Sequence, residues 1–214
     1  MLLEKSRQFA APSKSRCEPA SSHALLHSGQ TLFWEGDDAS KIFRIEAGAI
    51  RAVIYGEDGE RQLIGFFMGG NEIGMPSHGC YQYTAEAITD VVYSTVPVES
   101  WSDRLRSARA LDKEVFGALE CELDSCRVRS QLLSRQGALT RICAFLSGLC
   151  QRLGSDEAFT VPMPQIDIAA YLALTPETVC RAIRKLKDIG MIEIDRHDHI
   201  RVKDARALVP MMTH

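Results

Sequence analysis

Residues 163–202 read MPQIDIAAYLALTPETVCRAIRKLKDIGMIEIDRHDHIRV and carry the most informative pattern in the chain. The middle of this stretch predicts a helix that starts at Thr175, Pro176 and Glu177 and runs to a stop at Gly190. A threonine caps free backbone N–H groups, a proline suits the first turn, and a carboxylate complements the helix dipole. A shorter helix is predicted just before it, with an apolar face made of Ile166, Ala169, Ala170 and Leu172.

The longer of these two helices has two chemically different faces. Its inward face consists of apolar residues at helical spacing, Val179, Ala182, Ile183 and Leu186. Its outward face carries residues at spacing i, i+3, i+4 and i+7, here called the outward stripe: Glu177, Cys180, Arg181 and Arg184. Beyond the helix, Met191–Ile194 and Ile200–Val202 predict a β-hairpin. Two helices, a tight turn and a hairpin predict a winged helix-turn-helix, whose second helix enters the major groove of DNA.

The outward stripe has the chemistry of base readout. An arginine such as Arg181 can donate twice to guanine, and a carboxylate such as Glu177 can accept from cytosine N4. Together with Cys180 they are the predicted base-reading residues. Phosphate contacts that set position rather than sequence are predicted for Thr175, Thr178, Arg184 and Lys185. The alternative is a solvated charged face on an ordinary helix.

Upstream, residues 24–107 have the pattern of a small β-sandwich or jelly roll. Glycine- and aspartate-rich turns separate short alternating segments at roughly ten-residue spacing. The predicted strands are Thr31–Phe33, Ile42–Ile45, Ile50–Tyr55, Gln62–Phe67, Tyr83–Ala87 and Val91–Val96. Residues 1–23 are rich in serine, alanine and charge without periodicity, and they predict a flexible arm.

Residues 108–136 predict one long amphipathic helix. Its apolar residues recur mostly at three- and four-residue steps, namely Leu111, Val115, Leu119, Leu123, Cys126 and Leu133. A helix of ~28 residues spans about 42 Å, more than a small domain needs internally. We therefore expect these residues to form the interface of a homodimer; a helix that lies on its own β-domain is the alternative. A second helix at 138–152 belongs to the C-terminal domain, residues 137–214.

The composition is that of a globular protein from a reducing compartment. The 214 residues are 45% hydrophobic and 25% charged, and no apolar run approaches the ~20 residues of a membrane helix. The N-terminus lacks the apolar core of a signal peptide, so secretion is not expected. Seven cysteines form an odd set without a CxxC pair, which favours the cytoplasm over a disulfide framework.

The net charge of −3 argues weakly against a nucleic-acid partner, but its distribution reverses that interpretation. Residues 137–214 carry 10 basic and 9 acidic side chains, whereas the whole chain carries 25 and 28. Residues 175–187 include four basic residues and one acidic residue, which gives this segment a local charge of +3. The positive charge is thus concentrated on the predicted second helix, where it suits double-stranded DNA.

The segment DIAAYLALTPETVCR resembles the helix-turn-helix signature of the CRP/FNR superfamily of bacterial transcription regulators. LFWEGDDASKIFRIEAGAIR and GGNEIG resemble that family's cyclic-nucleotide-binding-type β-roll. The resemblance covers nearly the whole chain and implies an α+β fold: a β-roll, a long dimerisation helix and a C-terminal winged helix-turn-helix. One departure is Ala173, where the family usually has glycine. If the turn needs a positive φ there, alanine costs about 1 kcal/mol.

A finer resemblance concerns Glu177, Cys180 and Arg181. They stand where the FNR-like branch has Glu-x-x-Ser-Arg, which reads TTGA…TCAA palindromes. The cysteine, with DGERQ in the β-roll, resembles FixK-type regulators of nitrogen-fixing and microaerobic bacteria. The resemblance implies a cytoplasmic homodimer that activates transcription from a palindromic operator, with RNA polymerase as protein partner, no membrane association and no enzymatic activity.

The β-roll is not expected to bind a cyclic nucleotide or any other cofactor. The family's cAMP-binding members have a Glu after the glycine turn and an Arg-Ser or Arg-Thr pair further on. Here Met75, not Glu, follows Gly74, and Tyr83-Thr84-Ala85 stands where the Arg-Ser or Arg-Thr pair would be. The arginine whose guanidinium would bind the cyclic phosphate is therefore missing. An iron–sulfur cluster needs about four clustered cysteines, and only Cys17 lies near the N-terminus. No metal is expected.

Two questions stay open at the level of sequence. Cys180 lies near a helix N-terminus and beside Arg181, features that raise the susceptibility of a thiol to oxidation. It is either a redox-sensitive brake on DNA binding or a small base-contacting or packing residue in place of serine. The β-roll, in turn, either lacks an effector or responds to an unrecognised small molecule. A redox or metal sensor is a further alternative.

Overall fold

The computed structural model describes residues 23–100, 113–153, 158–195, 199–204 and 207–208, without the side chains of residues 113–122. The predicted flexible arm, residues 1–23, lies outside the described residues except for His23. The chain divides into two compact units, and the boundary between them falls at Arg129 and Ser130. Each unit is described separately below.

The N-terminal unit contains two four-stranded antiparallel sheets. Their strands are β1 (Ala24–Leu26), β2 (Thr31–Phe33), β3 (Lys41–Ala47), β4 (Ala49–Tyr55), β5 (Arg61–Met68), β6 (Glu72–Ile73), β7 (Thr84–Ala87) and β8 (Val91–Pro97). One sheet has the order β1-β8-β3-β6 and the other the order β2-β7-β4-β5. All six predicted strands are present, which confirms the β-roll; β1 and β6 were not predicted.

The two sheets share one apolar core. Inward residues come from both sheets, for example Ile45 of β3 and Ile50 of β4, each fully buried. The β3–β4 turn depends on Gly48, whose φ is +94°. A Cβ at this position would collide with the carbonyl oxygen of Asp90. Only glycine therefore fits this turn, where the chain passes from β3 in one sheet to β4 in the other.

A long helix and a second helix follow. Helix α1 covers Lys113–Ser134 and α2 covers Ala138–Leu153. The predicted long helix, residues 108–136, is thus observed where the structure describes it, and residues 108–112 lie outside that part. Helix α2 agrees with the prediction of 138–152. It buries nine side chains, including Ile142 and Leu146.

The C-terminal unit is built on α2, two short helices and a small sheet. These elements are β9 (Phe159–Thr160), α3 (Gln165–Tyr171), α4 (Pro176–Asp188), β10 (Ile192–Ile194) and β11 (Ile200–Val202). The predicted hairpin is β10 paired with β11, and β9 adds a third strand that was not predicted. The α+β fold with a winged helix-turn-helix is confirmed.

The apolar face predicted for α3 is partly wrong. Ala169 and Leu172 are buried as expected, but Ile166 is 64% exposed and Ala170 is exposed. Ile168 is fully buried instead. Helix α3 has only seven residues, and its apolar residues surround most of the axis, so their spacing alone does not select the buried face. None of the helices in the described ranges combines the length and the apolar character that crossing a bilayer demands.

Candidate nucleic-acid interface

The turn between α3 and α4 is closed by a Schellman motif. Leu172 is the C-cap of α3, and the next residue, Ala173, has a φ of +51°. The N–H of Leu174 donates to Ala169 O at 2.9 Å, and the N–H of Ala173 donates to Ala170 O at 3.4 Å. These two bonds are those of the motif, which places its central residue in the left-handed region. The position where alanine departs from the family's glycine therefore does require a positive φ.

Helix α4 begins as its sequence predicts. Thr175 is the N-cap, and its Oγ1 accepts from the N–H of Thr178 at 3.2 Å, while Pro176 opens the first turn. The pKa of Glu177 lies below its usual value because its own backbone N–H, the Thr175 hydroxyl and the charge of Arg181 stabilise the carboxylate. Glu177 is thus ionised at neutral pH and can only accept hydrogen bonds.

The two faces of α4 separate as predicted. The inward residues Val179, Ala182, Ile183 and Leu186 are all buried. All four members of the outward stripe, Glu177, Cys180, Arg181 and Arg184, are exposed. The acidic, thiol and guanidinium groups of the stripe thus lie on the side of the helix opposite the buried core residues.

The other predicted phosphate contacts lie beside the outward stripe. Thr178 and Lys185 are seven residues apart, two turns of helix, and so share one flank of α4. Lys185 is exposed, and Thr178 is half-buried with its hydroxyl 3.0 Å from the Thr175 hydroxyl. Thr175 precedes the helix and is exposed. The structure therefore brings all seven predicted residues to one side of α4, from its N-cap at Thr175 to its last turn at Lys185.

A shallow groove of about 500 Å³ runs between α4, the start of α3 and the hairpin. Cys180 and Arg184 line it together with Gln165 and Lys187, which were not predicted as site residues. Lys187 follows Arg184 by three residues and Cys180 by seven, so helical spacing could have identified it. Gln165 has no such signal, because only the packing of α3 on α4 brings it to the groove.

The loop of the hairpin is closed by one residue pair, Asp195 and His199, next to the strand pair of Ile194 and Ile200. The N–H of Asp195 donates to His199 O at 3.1 Å, and the N–H of His199 donates to Asp195 Oδ1 at 2.9 Å. The His199 ring lies 3.1 Å from the same carboxylate. Residues 196–198, the tip between them, lie outside the described residues. Asp195 also lines the groove.

The inside of the β-roll is filled with aromatic rings near Gly74. Phe33 stacks on Tyr81 with ring centroids 4.1 Å apart, and Phe43 packs beside them. The Tyr83 hydroxyl accepts from the N–H of Gly74 at 3.3 Å. Tyr83 is 4% exposed. The position where a cAMP-binding relative has arginine thus carries a buried tyrosine that contacts the glycine turn.

The cysteines differ in exposure. Cys143 and Cys150 are buried in the C-terminal unit, and burial raises the pKa of the Cys143 thiol to about 11. Cys126 and Cys180 are exposed and free. Cys17 and Cys121 lie among residues whose side chains are not described. Across the described ranges, no three His, Cys, Asp or Glu side chains are grouped so as to hold a metal ion.

The predicted dimer residues are only partly described. Leu123 is 51% exposed, Cys126 is exposed and Leu133 is half-buried. Leu111 lies outside the described residues, as do the side chains of Val115 and Leu119. Their arrangement on α1 therefore stays a prediction.

Two family models match the chain and together cover most of it. Residues 140–211 match the Crp-like helix-turn-helix domain, and residues 25–108 match the cyclic nucleotide-binding domain. The first covers α2 to the hairpin. The second covers the β-roll.

Relatives of known description are similar over most of their length. The nitrogen fixation regulation protein FixK of Rhizobium meliloti is 32% identical over 171 residues, which cover 80% of this chain and 78% of the relative. The fumarate and nitrate reduction regulatory protein of Escherichia coli is 27% identical over 195 residues, 88% and 78% of the two chains.

Solved structures share the fold. FixK2 from Bradyrhizobium japonicum superposes with a TM-score of 0.81 at 24% identity, covering 92% of this chain and 99% of the other. A CRP-family transcriptional regulator from Thermus thermophilus has a TM-score of 0.71 at 20% identity, with coverage of 89% and 97%. Both comparisons support the order of β-roll, long helix and helix-turn-helix.

Proposed function

Because this chain belongs to the CRP/FNR family of transcription regulators, we propose that it is a homodimeric activator that reads a TTGA…TCAA-like palindrome without a small-molecule effector. It is a FixK/FNR-like regulator with a DNA-binding helix-turn-helix. The family consists of transcription regulators rather than enzymes. The observation that carries the proposal is the outward stripe of Glu177, Cys180, Arg181 and Arg184, exposed on a helix whose opposite face is buried.

The proposed base contacts follow from the chemistry of that stripe. The ionised Glu177 carboxylate would accept from cytosine N4, and the exposed Arg181 guanidinium would donate to guanine O6 and N7. One helical turn separates them, so they would read one G·C pair or adjacent pairs. Thr175, Thr178, Arg184 and Lys185 would bind phosphates and set the register of the helix on the duplex.

Dimerisation is proposed from the length and composition of α1. An exposed Leu123 in the middle of a 22-residue helix suits an interface between two copies, since a second helix would cover it. A twofold dimer carries two recognition helices and matches a palindrome whose half-sites lie one duplex turn apart. RNA polymerase is proposed as the partner of the bound dimer.

Effector independence is proposed from the aromatic interior of the β-roll. A cyclic nucleotide needs an anion-binding group and free volume, whereas here Tyr83, Tyr81 and Phe33 are packed against one another beside Gly74. A Cβ on Gly74 would already lie within 3.1–3.3 Å of three aromatic rings. Control would then act through the amount of protein.

A second control is proposed at Cys180. Its thiol is exposed, lies in the groove beside Arg184 and belongs to the stripe that would face DNA. Peroxide can oxidise such a thiol to the sulfinate. The added negative charge would then face the phosphate backbone and oppose binding.

The experiment that tests the proposed function is selection of bound DNA from a random duplex pool by the purified full-length protein, with and without reductant. We expect enrichment of a TTGA…TCAA palindrome, with higher recovery under reductant. Enrichment of single half-sites would contradict the dimer, and no enriched sequence would contradict the proposed readout.

A further inference from the structure

Arg141, in the first turn of α2, contacts two backbone carbonyls that lie far apart in the chain. Its Nε donates to Arg135 O at 2.9 Å, and its Nη1 donates to Leu172 O at 3.3 Å. Arg135 directly follows the last residue of α1, and Leu172 is the C-cap of α3. One half-buried guanidinium therefore joins the end of the long helix to the turn of the helix-turn-helix.

Both carbonyls belong to helix C-termini, and that explains the choice of residue. The last carbonyls of a helix have no partner within the helix, and this end carries a partial negative charge. A guanidinium is always charged and presents several donors in a fixed plane, so it can bind two carbonyls at once. An ammonium group on a flexible stem lacks this planar geometry.

The covalent connection between α1 and α2 is short and contains a glycine. Only residues 135–137 separate the two helices, and Gly137 has a φ of +87°. The backbone N–H of Arg141 donates to Gly137 O at 3.1 Å, which starts α2. The side chain of Arg141 adds a contact across this connection, from the end of α1 to a residue 31 positions beyond Arg141.

We propose that Arg141 is a positioning residue that fixes the helix-turn-helix to the end of the dimerisation helix and so determines which half-site spacing the protein accepts. This inference rests on the proposed function, because spacing has meaning only for a dimer that binds two half-sites. Two recognition helices held one duplex turn apart fit one spacing well. Without Arg141 each helix-turn-helix is held less firmly, so the penalty for a wrong spacing falls.

The test compares operators that differ only in spacing. Labelled duplexes carry TTGA and TCAA with centres about 10 base pairs apart, or one base pair closer or further. Full-length wild type, Arg141→Met and Arg141→Lys are titrated by fluorescence anisotropy. Arg44→Met is the matched control, since it removes one positive charge from the N-terminal unit, where the ion pairs of Arg44 with described residues are long, at 3.8 and 3.9 Å.

We expect Arg141→Met to bind the correctly spaced duplex roughly tenfold more weakly, the loss typical of charged hydrogen bonds. Its preference over the two misspaced duplexes should shrink by a similar factor. The affinity and the spacing preference of Arg141→Lys should lie between those of Arg141→Met and the wild type. Arg44→Met should keep the spacing preference of the wild type. Circular dichroism at the assay temperature checks folding. If Arg141→Met does not fold, the test rests on Arg141→Lys, through the ratio of its affinities for the correctly spaced and the misspaced duplexes.

An equal loss on all three duplexes, or no loss, would overturn the proposal, since a merely structural arginine weakens binding uniformly. A wild type that binds none of the duplexes contradicts the proposed function instead. A wild type with a sharp spacing preference that Arg141→Met retains contradicts only the role of Arg141.

Discussion

The N–H of Leu174 donates to the carbonyl oxygen of Ala169 at 2.9 Å, across a turn whose central residue, Ala173, has a φ of +51°. The same hydrogen-bond pattern ends α4, where the N–H of Met191 donates to Leu186 O at 3.0 Å around Gly190, with a φ of +77°. Within the described residues of the C-terminal unit, these two Schellman motifs thus differ in their central residue. Substitutions at Ala173 and Gly190 can therefore measure how much a Cβ on a residue with positive φ lowers the free energy of unfolding.

Replacing Ala173 with glycine should stabilise the protein by about 0.5–1 kcal/mol. Relief of the left-handed strain is offset in part by the greater entropy of glycine in the unfolded chain. Gly190→Ala is the matched control, because a Cβ there meets nothing within 4 Å, and it should destabilise by a similar amount. Urea denaturation followed by circular dichroism measures both. Equal stability of all three proteins would contradict the role assigned to the turn.

Replacing Arg181 with alanine should weaken operator binding by about 1–3 kcal/mol and relax discrimination at one base pair. The reason is that its guanidinium would make a bidentate base contact. Lys185→Ala, on the flank of α4, should instead weaken binding to all sequences and lower the salt slope by about one. Titration against single-base operator variants at several salt concentrations separates them. Unchanged discrimination in Arg181→Ala would remove it from the base-reading set.

Peroxide should lower the operator affinity of the wild type and leave Cys180→Ser unaffected. A sulfinate at this position would put negative charge against DNA phosphates. Cys80→Ser is the control, since Cys80 is a free and half-buried thiol of the N-terminal unit, away from α4 and from the predicted dimer residues; it should remain sensitive. Band-shift titrations before and after peroxide give the readout. Equal sensitivity of wild type and Cys180→Ser would discard the brake.

Cyclic AMP and cyclic GMP should neither bind nor change operator affinity. The aromatic packing around Gly74 offers no charged group to a cyclic phosphate, and the Tyr83 hydroxyl already accepts from the glycine N–H. Calorimetry with each nucleotide, repeated in the presence of operator, measures this directly. Heat of binding with a defined stoichiometry would favour an effector-responsive regulator instead.

Glu86 should make the stability of the N-terminal unit depend on pH in the acid range. Burial tends to raise the pKa of Glu86, but hydrogen bonds from Arg51 and Tyr55 and the charges of Arg51 and Arg61 outweigh it, so the pKa lies below its usual value. The carboxylate therefore stabilises the folded state above its unfolded pKa, and this contribution is lost as the pH falls through the folded pKa.

The variant Glu86→Gln should accordingly be less stable by roughly 1–3 kcal/mol at pH 7, since Arg51 loses a charged partner. Its loss of stability on acidification should be shallower than that of the wild type. Glu57→Gln changes an exposed carboxylate and serves as control. Urea denaturation between about pH 7 and pH 3 brackets the unfolded pKa of a glutamate and gives the comparison; parallel curves for Glu86→Gln and wild type would contradict the prediction.

Much of the fold was accessible from sequence because the longer elements have clear periodicity and punctuation. Helix α4 has a capping threonine, a proline, two separated faces and a terminal glycine, all within residues 175–190. By contrast, β1, β6 and β9 have two or three residues each and were not predicted. Length alone is not the reason, since β2 is equally short and was predicted. Strands β1, β6 and β9 form because neighbouring strands offer them free backbone groups, which is information held in the tertiary structure.

The candidate site likewise contains residues that local sequence predicts and residues that only the tertiary structure brings together. Residues of the outward stripe lie on one helix, so their spacing predicts that they share a face. Gln165 in the groove and Arg141 beside Leu172 belong to other helices, and the latter pair is 31 residues apart. No local pattern joins such residues. The buried face of α3 was likewise decided by its packing partners, since Ile166 and Ile168 are equally apolar in sequence.

The alanine at position 173 also has an evolutionary consequence. Alanine and glycine codons differ by a single nucleotide, so the more stable turn is one point mutation away. Natural proteins are retained when they exceed a stability threshold, and stabilising changes are seldom required of them. The helix-turn-helix therefore carries a tolerated cost at its centre, and this position offers the protein a reserve against destabilising mutations elsewhere in the same unit.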